Sequence, residues 1–156
     1  MENNQVRIRS AVEGDLQDIL AIECASYDYP WSSEQFLQEL QNPVSVLDLC
    51  CVAGVAAGFL CRWLIAGEMQ ILNLAIAPQM RRKGIAGQLL QNAFQSAGPQ
   101  LASVWLEVRA GNIAAISLYQ RYGFEPAGMR KTYYRDGEDA LLMVRQFQNT
   151  VDGRGE

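Results

Sequence analysis

The chain has 156 residues, 49% of them hydrophobic, with a formal net charge of -4 and no histidine. That size and composition fit one globular domain, and the acidic balance excludes a protein that holds nucleic acid by neutralising phosphates while favouring cationic partners. The missing histidine excludes Ser-His-Asp and Cys-His nucleophile pairs and the commonest zinc sites, so no metal is expected and acid-base chemistry falls to carboxylates, tyrosine, lysine or cysteine.

Val6 to Ser10 alternates as VRIRS and predicts a first strand. Leu16, Ile19, Leu20 and Ile22 then carry helical spacing and predict a helix over Glu13 to Ser26. Tyr29-Pro30-Trp31-Ser32 breaks that pattern, and Ser32 with Gln35 forms the capping box of a second helix, Ser33 to Gln41, which exits at Pro43. Ser45 to Ala53, Val55 to Ile65 and Met69 to Ala77 read as an antiparallel meander that Pro78 ends. From Gly84 the period changes to Ile85, Leu89 and Ala93 with Ala86, Leu90, Phe94 and Ala97, a helix that stops at Gly98-Pro99. Val104, Leu106 and Val108 mark one face of the next strand, and Asn112 caps a short helix whose left-handed C-terminal position falls on Gly123. Two last strands follow, from Phe124 and over Ala140 to Val144, and the polar segment 148–156 is expected to fray.

Cys24, Cys50, Cys51 and Cys61 lack CxxC spacing and read as reduced core thiols. No charged-then-apolar leader opens the chain, and the uncharged run Leu49 to Cys61 is shorter than the roughly 20 residues of a membrane span. A soluble, cytoplasmic protein without membrane or nucleic-acid contact is therefore expected.

The strongest local signal runs from Asn73 through Leu74, Ala75, Ile76, Ala77 and Pro78 to Arg81, Arg82, Lys83, Gly84, Ile85, Ala86 and Gly87: a strand, a basic turn, and a glycine opening an apolar helix. The first helical amides lack intrahelical acceptors, the macrodipole places partial positive charge there, and glycine permits close approach of a phosphate. On its own the loop also suits an ordinary helix start with a solvated turn. It is neither GxxxxGK[ST] nor GxGxxG, which weakens nucleotide hydrolysis and dinucleotide binding. The second signal is Trp105-Leu106-Glu107-Val108-Arg109, where a carboxylate interrupts an apolar strand on the face opposite Leu106. Such a group has a function or a paired charge, and Arg109 lies two residues on along the same face.

Together these residues resemble the GNAT superfamily of acyl-CoA-dependent N-acetyltransferases, whose signature [RQ]xxGx[GA] reads here as Arg81-Arg82-Lys83-Gly84-Ile85-Ala86. Trp105 to Asn112, Ala114 to Tyr119, Gly123-Phe124, Tyr29 to Ser32, Tyr133-Tyr134 and Gly137 to Met143 are similar, in order, to the RimI-type ribosomal-protein alanine N-acetyltransferases. The resemblance implies one domain over 1–147, an α/β (α+β) fold with a mixed, mostly antiparallel sheet of about seven strands, splayed in the middle, and about four helices on its two faces.

It also implies acetyl-CoA as co-substrate, with the acetyl-pantetheine on Leu74, Ala75 and Ile76, the pyrophosphate on Arg81 to Gly87, and a further coenzyme contact from Asn112. Glu107 is then the general base and Tyr119 the acid that protonates the departing thiolate. Tyr29, Trp31 and Tyr134 would line the acceptor groove, with Tyr133 beside them, although aromatic packing around loops accounts for them equally well. The implied acceptor is the N-terminal alanine of the small ribosomal subunit's eighteenth protein, a basic polypeptide suited to an acidic enzyme. Another protein N-terminus, a lysine side chain or a small amine stays open, as does a non-catalytic acyl-CoA sensor.

Overall fold

A computed structural model describes residues 5–147, so the segment 148–156 lies outside the described residues. Its elements run β1 (Val6–Ser10), α1 (Leu16–Ser26), α2 (Ser33–Gln41), β2 (Ser45–Val52), β3 (Val55–Ile65), β4 (Glu68–Ile76), α3 (Ile85–Ala97), β5 (Ser103–Arg109), α4 (Ile113–Arg121), β6 (Glu125–Arg130) and β7 (Ala140–Gln146). The strands form one seven-stranded sheet in the order β1-β2-β3-β4-β5-β7-β6. β4 and β5 run parallel, while β1/β2, β2/β3, β5/β7 and β6/β7 are antiparallel, as the expected mixed sheet requires.

Most boundaries fall within a residue or two of those read from the sequence, with one physical departure at the first helix. Glu13–Asp15 is a tight 3-10 turn rather than the start of α1. The Asp15 carboxylate accepts from the Val12 amide at 2.8 Å and from both Arg9 guanidinium nitrogens at 2.8 and 2.9 Å, so it serves the turn before it instead of the helix after it. That guanidinium holds the Asp15 carboxyl down to about 2.

The chain divides into two compact units, residues 5–63 with 72–93, and residues 64–71 with 94–147. In the first, Leu16, Ile19 and Ile22 of α1 and Phe36 of α2 join Leu47, Leu49 and Phe59 in one buried cluster. Phe36 meets Phe59 edge-on at 5.4 Å and Trp31 at 5.0 Å. Burying each such large apolar side chain contributes roughly 1.5–3 kcal/mol, which is why α2 stays docked through few apolar residues. Its start is the expected capping box: Gln35 N donates to Ser32 Oγ at 3.2 Å and Ser32 N to Gln35 Oε1 at 2.8 Å.

In the second unit β5 registers with β7 from Ser103–Gln146 to Arg109–Ala140, and β6 follows β7 through a bulge between Pro126 and Gly128. Phe94 packs on Phe124 and Phe147, and the Arg145 guanidinium lies 5.0 and 4.4 Å over the Phe94 and Phe147 rings. β4 and β5 pair through three register positions, Glu68–Ser103, Met69–Val104 and Gln70–Trp105.

The core-thiol reading holds for Cys50 and Cys61, whose thiols burial pushes up to about 11 and about 12. It fails for Cys24, which is exposed, because position 24 falls on the solvent side of α1. No described helix is long and apolar enough to cross a membrane.

Candidate active site

Within the first unit, the end of β4 presents a polar edge. Ala77 N donates to Ala57 O of β3 at 2.8 Å, so strand alternation turns the amides and carbonyls of Leu74 and Ile76 toward the opposite edge. Side chains, rather than a strand, meet those carbonyls: the Tyr27 hydroxyl donates to Leu74 O and Arg81 Nε to Ile76 O at 3.0 Å. The Leu74 and Ile76 N–H groups on this edge can donate to a ligand carbonyl. Gly58 of β3 lets the neighbouring backbone come close, since a Cβ there would stand 2.6 Å from Ile76 Cδ1 and 3.0 Å from Ala75 O.

The turn that follows has the conformation an anion site needs. Gly84 has φ +81, a region that disfavours other residues, and a Cβ on it would meet nothing within 4 Å. Its carbonyl accepts from Gln88 N at 3.1 Å, which starts α3 and leaves the Ile85, Ala86 and Gly87 amides without intrahelical acceptors. Arg82, at φ +65, and Lys83 are exposed beside them. Arg81 behaves differently from its basic neighbours. Its guanidinium reaches Ile76 O and, at 3.1 Å, Ser26 Oγ, so it ties the turn to β4 and to the end of α1.

A buried carboxylate completes this side. Glu23, 1% exposed, accepts from Trp31 N and from Asn73 Nδ2, both at 2.8 Å. It fastens the loop carrying Tyr29 and Trp31 to the residue before Leu74, and burial pushes its carboxyl above the usual range against the pull of both bonds. The Trp31 ring packs on Phe36, whereas Tyr29 is exposed. No local spacing could have revealed this node, because its partners lie eight and fifty residues away.

In the second unit Glu107 points off β5 with its side chain 18% exposed. Glu107 pairs through Oε2 with Arg130 and accepts at Oε1 from the Tyr133 hydroxyl at 2.8 Å. Arg109 reaches Asp136 and Glu138, each at 2.9 Å, and lies 4.1 Å over the Tyr134 ring. Antiparallel pairing of β5 with β7 brings the acidic turn 136–138 to Arg109.

Tyr134 is half-buried, which pushes its phenol up to about 12, and it packs perpendicular to Tyr133 at 5.0 Å. The backbone amides of both tyrosines donate to Glu138 O at 3.2 and 3.1 Å. Asn112 caps α4 by accepting from Ala115 N at 3.1 Å, as expected, which leaves its Nδ2 group as the donor for other use. Tyr119, on the buried face of α4, packs edge-on to Phe124 at 5.7 Å. Chemically, one unit offers oriented N–H donors and cations for an acyl carbonyl and a polyanion, and the other offers a carboxylate and phenols for proton transfer. No group of three metal-binding side chains occurs among the described residues.

Residues 16–124 match the acetyltransferase (GNAT) family. The chain is 34% identical over 141 residues to the [ribosomal protein bS18]-alanine N-acetyltransferase of Escherichia coli (strain K12), covering 88% of this chain and 95% of that one. A Bacillus subtilis (strain 168) protein, whose name carries the same activity provisionally, is 36% identical over 83% of this chain and 87% of its own length. The crystal structure of the ribosomal-protein-S18-alanine N-acetyltransferase from Escherichia coli superposes with a TM-score of 0.88 and 30% identity, over 97% of this chain and all of that one.

Proposed function

Because this chain belongs to the acetyltransferase (GNAT) family, we propose that it transfers the acetyl group of acetyl-CoA to the N-terminal alanine of a small-subunit ribosomal protein in the cytoplasm. The observation that carries the acceptor is the 34% identity to a bS18-alanine N-acetyltransferase over 88% of the chain, in a fold that superposes over 97% of this chain. Residues 1–147 make up the catalytic domain in this reading.

The coenzyme's pyrophosphate is assigned to the Ile85, Ala86 and Gly87 amides at the start of α3, with Arg82 and Lys83 adding charge. Arg81 shapes that turn from behind. The acetyl carbonyl is assigned to the outward amides of Leu74 and Ile76, which also face the oxyanion that forms when the thioester is attacked. Oriented donors of this kind are worth on the order of 3 kcal/mol each in other enzymes. Asn112 Nδ2 is assigned to the coenzyme.

An α-amino group, with a pKa near 8, is mostly an ammonium at neutral pH and must lose a proton before it attacks. Glu107 receives that proton. The freed nitrogen lone pair bonds to the thioester carbonyl carbon, the C–S bond breaks, and the departing sulfur takes a proton from Tyr119. The second proton lost by the acylated nitrogen passes through solvent to restore the Tyr119 phenol, while Glu107 returns its proton to solvent. Tyr29 and Tyr134 are placed along the acceptor chain, with Trp31 bracing the loop from the core side.

The test is intact-mass analysis after incubation with acetyl-CoA and, separately, an alanine-initiated ribosomal peptide, a lysine-containing peptide with a blocked N-terminus, and spermidine. Acetylation confined to the first peptide is expected. Faster acetylation of either other acceptor would overturn the acceptor assignment while leaving acetyl transfer intact.

A further inference from the structure

Each oxygen of Glu107, the base in the reading above, already has one partner. Arg130 holds Oε2 and the Tyr133 hydroxyl donates to Oε1 at 2.8 Å. A group already bonded to the carboxylate can carry the acceptor's proton to it, provided that the group accepts as well as donates. A guanidinium has no lone pair to offer, whereas a phenol hydroxyl both donates and accepts.

Tyr133 also has the exposure and the support that such a step needs. The residue is 48% exposed although its hydroxyl is bound to Glu107. Its ring rests edge-on against Tyr134, which Arg109 covers, and Arg109 is itself held by Asp136 and Glu138. Glu138 O fixes the backbone of both tyrosines. The phenol is therefore presented by a braced segment, not by a loose loop tip.

We propose that Tyr133 is a catalytic residue whose hydroxyl relays the acceptor's proton to Glu107. The inference rests on Glu107 being the base. The ammonium N–H bond breaks and its proton bonds to Tyr133 Oη, while the phenol's own proton bonds to Glu107 Oε1. The nitrogen keeps the electron pair with which it attacks, Tyr133 ends neutral as it began, and Glu107 ends protonated. Arg130 is a positioning residue that keeps Oε1 turned toward Tyr133. The bond to Glu107, with burial second, pushes the phenol above its ordinary range, so Tyr133 stays protonated at neutral pH and acts as a relay, not as a phenolate base.

Single-turnover rates for Tyr133→Phe and Glu107→Gln, with acetyl-CoA affinity and acceptor KM measured in parallel, test the relay. Tyr133→Phe is expected to lower the rate about 100-fold, within the range for a lost acid-base group, with KM moved less than about threefold. A wall of the groove would raise KM and spare the rate, and that pattern overturns the proposal. Full activity of Tyr133→Phe beside an inactive Glu107→Gln removes the relay and leaves the base. Full activity of both removes the base as well. Should Tyr133→Phe not fold, the unmodified enzyme carries the test in mixed light and heavy water. A curved dependence of the single-turnover rate on deuterium fraction, from two protons in flight, is expected, and a linear one overturns the relay.

Discussion

Glu23 offers a direct test of how the loop carrying Tyr29 and Trp31 is held. Its carboxylate is buried and receives one neutral donor on each oxygen, Asn73 Nδ2 on Oε1 and Trp31 N on Oε2, both at 2.8 Å. Glu23→Gln keeps the size but turns one acceptor into a donor, so one of the two existing donors then faces another donor. A buried group left unsatisfied costs about 1–3 kcal/mol. For a chain of this length a loss of about 2 kcal/mol lowers Tm by roughly 4–8 °C. Adding Asn73→Asp reverses the polarity of the pair: the new amide donates to the carboxylate at position 73 and its oxygen still accepts from Trp31 N. At least half of the lost Tm should return.

The pH dependence has a definite sign. Burial raises the folded carboxyl above its unfolded value of about 4.5, so the folded state binds the proton more tightly. The stability this contributes is complete below that value and is lost as pH rises through the folded pKa. The deficit of Glu23→Gln relative to the unmodified chain should therefore shrink as the pH rises above the unfolded value, followed by thermal unfolding monitored by circular dichroism. A single variant as stable as the unmodified chain, or a swap no better than the single variant, refutes the reasoning.

Glu107→Gln and Tyr119→Phe should each lower single-turnover rates by about 100-fold or more while leaving acetyl-CoA affinity within about twofold, and full turnover in both removes the assigned roles. Gly84→Ala places a Cβ on a backbone at φ +81, costing about 1–2 kcal/mol, and projects it into the open space assigned to phosphate. Acetyl-CoA Kd should rise about tenfold by calorimetry, and an unchanged Kd contradicts the loop assignment. Arg62→Met strands the buried Asp48, whose carboxyl burial already pushes up and whose Oδ2 lies 3.1 Å from Arg62 Nε. A loss of about 3–5 kcal/mol in urea unfolding is expected, most of it recovered by adding Asp48→Leu, and a harmless single variant would refute it.

The features legible in the sequence are those whose physics is local. Ser32 with Gln35 and Asn112 with Ala115 N are caps, bonds closed within three residues, so residue type and spacing were enough to find them. Gly84 belongs to the same kind: a positive φ just before a helix is a demand on one residue, and glycine meets it. Alternation along β5 placed Glu107 opposite Leu106 without knowledge of any other strand. Register between strands carries no such local mark. The carboxylate's partners, Arg130 and Tyr133, lie 23 and 26 positions further along, and it is the pairing of β7 with both β5 and β6 that brings the end of β6 and the segment after it to Glu107.

Arg109 and Arg81 show why charge near a candidate site is a poor guide to its use. Arg109 sits two residues from Glu107 on the same strand face, yet Asp136 and Glu138 take it, and the tyrosine pair is braced as a result. Arg81 belongs to a basic triplet that suggests phosphate, yet its guanidinium is spent on Ile76 O and Ser26 Oγ. In both cases the charge does its work one step behind the chemistry. Arg109 holds Tyr134, against which Tyr133 and so the oxygen of Glu107 are set, and Arg81 holds the turn that presents the α3 amides. Neutralising either should therefore act through geometry: loss of Arg109 should show in proton transfer and loss of Arg81 in coenzyme affinity, although neither side chain is assigned a contact with the reacting atoms.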